Sequence, residues 1–124
     1  MALKTAAGVV VLTPRDQVRE DIGPLVTMYR NLGSDSASAM VNHSLSELGL
    51  VLGRIAEGMA RQGRRDLRPL LGQAQRLAET LGFVTLALVC TDLVSCLSQG
   101  DETAAAAVWA RLCRVAEHAL SPGL

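Results

Sequence analysis

The sequence predicts an all-α fold, an antiparallel up-and-down four-helix bundle with short N-terminal helices and an N-terminal arm. Three observations carry this reading. Apolar residues recur at intervals of three and four along four separate stretches. Short segments rich in Gly, Ser and Asp join those stretches. Finally, 49% of the residues are hydrophobic but only 2% are aromatic, so the core is aliphatic, as helix packing favours and a β-sandwich does not. A chain of 124 residues builds one core and not two, so residues 1–124 form a single domain. Within it, 1–12 is an arm, 14–32 holds the short N-terminal helices and 35–120 is the four-helix bundle.

The arm contains Val9, Val10, Val11 and Leu12, an extended apolar run with no partner strand in the sequence. It is expected to lie on the bundle or to pair in a homodimer. Thr13, Pro14 and Asp16 then supply an N-cap, a proline for the first helical position and an acid for the first turn. A helix is expected from there, broken at Gly23-Pro24 into pieces 15–22 and 25–31, because Pro24 lacks an amide and disfavours helix in the residue before it. Gly33 ends the second piece.

Ser34, Asp35 and Ser36 are suited to cap the first long helix, which runs to about Arg61. Its stripe is Val41, Leu45, Leu48, Leu52, Ile55 and Met59, the seam of a helix packed almost antiparallel on a neighbour. Residues 62–65 form a turn. The next helix presents Leu67, Leu70, Leu71, Ala74, Leu77, Ala78 and Leu81 up to Gly82. A third places Leu86, Val89, Cys90, Leu93 and Leu97 inward and ends at Gln99-Gly100. Asp101 caps the last, with Ala104, Val108, Leu112, Val115 and Ala119 inward and Ser121, Pro122 and Gly123 as its stop.

Twelve basic and twelve acidic side chains cancel, which removes the broad positive field of a nucleic-acid binder. The longest apolar stretch near the start, residues 6–12, falls far short of the ~20 residues a bilayer span needs, and it lacks a signal-peptide cleavage pattern. A cytoplasmic protein is expected, with no membrane partner. Cys90, Cys96 and Cys113 are expected to be buried, free thiols in apolar helical segments. No glycine-rich phosphate loop follows a strand, and no nucleophile–base motif or paired catalytic carboxylates stand out, so the chain is not read as an enzyme.

Leu81-Gly82-Phe83, Leu86-Ala87, Cys90, Leu93 and Gly100-Asp101 follow one another in a characteristic order. Over residues 67–119 the chain resembles the histidine-containing phosphotransfer (HPt) domains of bacterial phosphorelays. In that family a Leu-Gly pair closes the phosphoacceptor helix and Gly-Asp opens the last helix. The resemblance implies a role in two-component signalling, no cofactor, and a response-regulator receiver domain or a histidine kinase as partner.

The resemblance also implies where the chemistry should be, and there the sequence departs. Gly72 stands ten positions before Gly82, where the family carries its phosphorylated histidine. Gln75 replaces the family's lysine, and Arg76 replaces a small glycine. Glycine offers no nitrogen, Gln75 no charge for a phosphoryl group, and Arg76 adds bulk where a receiver would approach. The outward face formed by Arg65, Arg68, Gly72, Gln75, Arg76 and Glu79 is therefore expected to bind a partner without accepting phosphate. The plain alternative is a solvated helix face.

His43 and His118 are the two imidazoles. His43 lies off the Val41/Leu45/Leu48 seam with Glu47 one turn later to orient the ring, which makes it the candidate for a relocated phosphoacceptor. The antiparallel register is expected to hold it well away from the level of Gly72. His118 is read as a favourable C-terminal charge. Neither has a second ligand nearby in sequence, so no metal site is expected. Three functions follow: a non-phosphorylatable adaptor or modulator, an active phosphotransfer protein using His43, or a structural, oligomerising bundle.

Overall fold

The computed structural model describes residues 18–61 and 66–120. Among them are five helices and no strand: α1 (Gly23–Leu32), α2 (Ser34–Ala60), α3 (Arg68–Leu81), α4 (Val84–Gln99) and α5 (Glu102–Leu120). The arm at 1–12, the expected caps Thr13 and Pro14, the turn at 62–65 with Arg64 and Arg65, and the stop at 121–123 lie outside the described residues.

Neighbours in sequence are neighbours in space, with α2 on α3, α3 on α4 and α4 on α5, while α1 lies on α2 and touches α3. The contacts of α2 with α3 run in opposite senses along the two helices. At Gly58 of α2 a Cβ would collide with Leu67, just before α3, whereas the earlier Glu47 meets the later Gln73. Arg68, at the start of α3, reaches Ser98 near the end of α4.

The inward stripes meet in one aliphatic core. Leu48, Ile55, Leu71, Leu86, Leu93 and Leu112 are essentially sealed from solvent, each contributing ~1.5–3 kcal/mol by burial. Val41, Leu45 and Met59, the ends of the expected α2 seam, are only half-buried, and Val51 is fully buried in their place. On α5, Ala105 and not Ala104 is buried. Cys113, expected inside, is exposed, and Cys96 is half-buried; only Cys90 behaves as a core residue.

The N-terminal region departs from the sequence expectation. Residues 18–22 are not helical, and α1 begins at Gly23 with Pro24 inside its first turn. Pro24 therefore starts this helix, where its missing amide costs nothing, and does not interrupt one. Tertiary hydrogen bonds hold the segment 18–22 outside a helix. The Arg19 amide donates to Thr85 Oγ1 (2.6 Å), the Thr85 amide donates back to the Arg19 carbonyl (3.2 Å), and the Asp21 amide donates to the Gly82 carbonyl (2.8 Å). Asp21 Oδ1 also accepts from the Gly23 amide (2.9 Å), which fixes the entry to α1.

Single residues make the remaining boundaries. Gly33, at φ 82°, ends α1 and precedes α2, donating to Tyr29 and accepting from Ala37. Ser34, Asp35 and Ser36 make no side-chain cap; Ser34 is instead the first helical residue. Gly82, at φ 81°, closes α3 as the Phe83 amide reaches back to the Ala78 carbonyl. Asp101 caps α5 as expected, its Oδ1 accepting from the Ala104 amide (3.0 Å).

The two outer members of the series, α2 and α5, leave a groove of about 530 Å³ between them. Its walls are apolar, with Leu52 and Ala56 on α2 facing Trp109, Leu112, Ala116 and Leu120 on α5.

Candidate functional site

The outer surface of α3 is set by its own periodicity. With Leu71, Ala74, Ala78 and Leu81 turned into the core, Gly72 and Arg76, one turn apart, share a line on the opposite side. A Cβ placed on Gly72 would meet one neighbouring atom within 4 Å, Arg76 Nη1 at 3.6 Å. The guanidinium thus lies back over the glycine, and Arg76 forms no ion pair among the described residues. Beside it, Gln75 Nε2 donates to Glu79 Oε2 (3.2 Å). The position at which the HPt resemblance would put an imidazole is bare backbone beneath a cation.

Arg68 has a different role. Its Nε and Nη2 each lie 2.8 Å from an Asp66 carboxylate oxygen, in a two-pronged pair, and its amide donates to Asp66 Oδ1 (3.0 Å). These hydrogen bonds hold the Asp66 carboxyl at about 2, well below the usual carboxylate range, and raise Arg68 in turn. The third nitrogen, Nη1, donates to Ser98 Oγ on α4 (3.3 Å). Arg68 is therefore committed locally, and among the described residues of this face the cation without an ion pair is Arg76. Arg65 lies outside the described residues.

His43 is open to solvent, with 78% of its side chain exposed. Its Nε2 stands 3.4 Å from Glu47 Oε1, and the other Glu47 oxygen accepts from Gln73 Nε2 (3.4 Å) across the α2/α3 seam. Glu47 thus links His43 to the residue adjoining Gly72. The sequence leads one to expect His43 well away from the level of Gly72; the Glu47–Gln73 contact sets His43 about five residues of helical rise, roughly 7 Å, from that level along α3. His43, Glu47, Leu50, Arg54 and Gln73 border a recess of about 330 Å³. With Nε2 engaged by the carboxylate, Nδ1 would be the nitrogen left with a lone pair facing solvent.

Arg54 and Gln73 belong to this recess and were not among the sequence candidates. The His43/Glu47 spacing was visible along one helix, but Gln73 enters only through helix–helix register. His118 is exposed in the last turn of α5.

Burial pushes the Cys90 thiol up to about 12, so it is an inert core group. Cys113 is raised as well, first by partial burial and then by the Glu117 charge, with Arg114 opposing. Among the described residues no three His, Cys, Asp or Glu side chains converge to hold a metal ion. None of the described helices is long and apolar enough to cross a membrane. Comparison with family models, with curated proteins and with solved structures gave no match.

Proposed function

We propose that the chain is a phosphotransfer-type helical module of two-component signalling that binds a receiver domain or a histidine kinase and takes no phosphoryl group at the family's usual position. On this reading α2–α5 are the four members of an antiparallel up-and-down bundle and α1 braces one end of it. The observation that carries the proposal is Gly72 lying under Arg76, where among the described residues the one side chain close to the glycine is cationic. An unpaired guanidinium on a flat, glycine-bared helix surface suits the acidic rim of a receiver's phosphorylation pocket.

The test is to incubate the protein with receivers charged from labelled acetyl phosphate and to measure binding alongside label transfer. Binding without transfer, weakened by Arg76→Glu, supports an adaptor. Absence of binding to any receiver or kinase encoded beside its gene sinks the proposal.

A second reading, an active phosphotransfer protein, is favoured by the His43–Glu47–Gln73 linkage. Glu47 holds the ring in one orientation, and Arg54 stands at the same recess. Acid-labile label on the protein that disappears in His43→Ala would establish this reading and displace the adaptor.

A further inference from the structure

We propose that the groove between α2 and α5 is the seat of the chain's own apolar run, Val9, Val10, Val11 and Leu12. The groove is built for an uncharged, aliphatic occupant. Among the described residues Glu117 is the one charged side chain lining it, and it stands toward the α5 end. On the α2 side, Gly49 and Gly53 leave open space, since a Cβ on either would meet nothing within 4 Å. Side chains of an incoming segment can therefore rest directly on the α2 backbone. Leaving Trp109, Ala116 and Leu120, which are half-buried or exposed, to border water across such a gap forfeits hydrophobic stabilisation that an aliphatic segment recovers.

The path of the described chain selects this segment as the occupant. Read backwards from α1, the backbone passes Asp21, bonded at the α3 C-cap, and then Arg19, bonded to Thr85 in the first turn of α4. It thus runs over the α3/α4 junction and reaches the start of α4. The Asp92–Arg111 pair sets α4 and α5 level with each other (3.9 Å). From that level Thr85 is seven residues back and Leu120 nine residues on, about 10 and 13 Å at the helical rise. Leu120, which borders the groove, thus ends α5 at the same end of the molecule as Thr85.

Residues 13–17 can extend ~17 Å, which exceeds the 8–10 Å spacing of packed helices. The connection is long enough to pass the end of α5 and deliver residues 9–12 into the groove. Three β-branched side chains and a leucine supply aliphatic surface that matches the apolar walls.

Trp109 is the only tryptophan of the chain and lines the groove, so it reports occupancy. In the full-length protein, Val10→Asp with Val11→Asp is expected to red-shift Trp109 emission and raise its quenching by acrylamide, with helical circular dichroism retained. Treated with an added mild oxidant, copper–phenanthroline in air, which takes up the two electrons, a Val11→Cys variant is expected to form a disulfide with Cys113, also on the groove wall, within a single chain. Unchanged emission and quenching in the folded aspartate variant overturn the proposal. So does a failure of cysteines placed in turn at positions 9 to 12 to reach Cys113 within one chain. Emission that follows concentration together with dimer formation in sedimentation overturns it in favour of a second copy as occupant.

Discussion

Arg76 lies back over Gly72, its Nη1 3.6 Å from where a Cβ on that glycine would stand. The two residues share one helical line, so the arginine covers the backbone that the glycine leaves bare. A 3.6 Å approach is ordinary contact, and Gly72 sits in the interior of α3. Gly72→Ala is therefore expected to stabilise the fold by up to ~1 kcal/mol, because alanine loses less backbone entropy in a helix. Urea denaturation checks this; a loss of stability would mean that α3 needs the glycine for packing.

Gly82 gives the opposite expectation. Its φ of 81° is costly for any side chain, and a Cβ there would collide with the Asp21 carbonyl oxygen. Gly82→Ala should destabilise by more than ~1 kcal/mol. It should also release residues 18–22, seen as faster hydrogen exchange at the Asp21 amide, while amides in the middle of α4 stay protected.

Leu93 is fully buried in the centre of α4 beside Cys90. Leu93→Ala should cost ~2–5 kcal/mol, the range for a leucine deleted from a packed core. The Cys90 thiol offers an independent readout. Its pKa of about 12 and its burial keep it unreactive in the native state, so its labelling rate should follow unfolding and rise in the variant.

Asp66 titrates at about 2 in the folded protein, held there by Arg68, below the ~3.9 of an unfolded aspartate. A depressed carboxylate contributes stability above its unfolded value and loses that contribution as pH falls through the folded value. The pair's contribution should therefore disappear between about pH 4 and pH 2, and the effect is small because both groups face solvent. Arg68→Ala should return the Asp66 carboxyl toward ~3.9 in an NMR titration. An unchanged titration would show that the Arg68 guanidinium does not hold it.

The local sequence pattern determined the helices α2 to α5. Their stripes of Leu, Val and Ala at steps of three and four, the stops at Gly82 and Gly100 and the cap at Asp101 are written within a few residues of where they act, so they were legible without the fold. So were the glycine at position 72 and the His43–Glu47 spacing. Tertiary structure decided what depends on partners distant in sequence. Residues 18–22 are not helical because Thr85 and Gly82 take hydrogen bonds from this segment, a competition that no local propensity reveals. Gln73 joins Glu47 through the register of one helix on another. The groove between α2 and α5 likewise arises from how far two helices stand apart, a distance to which each helix's own stripe is indifferent. Periodicity states which face of a helix is apolar; only packing decides which neighbour covers it.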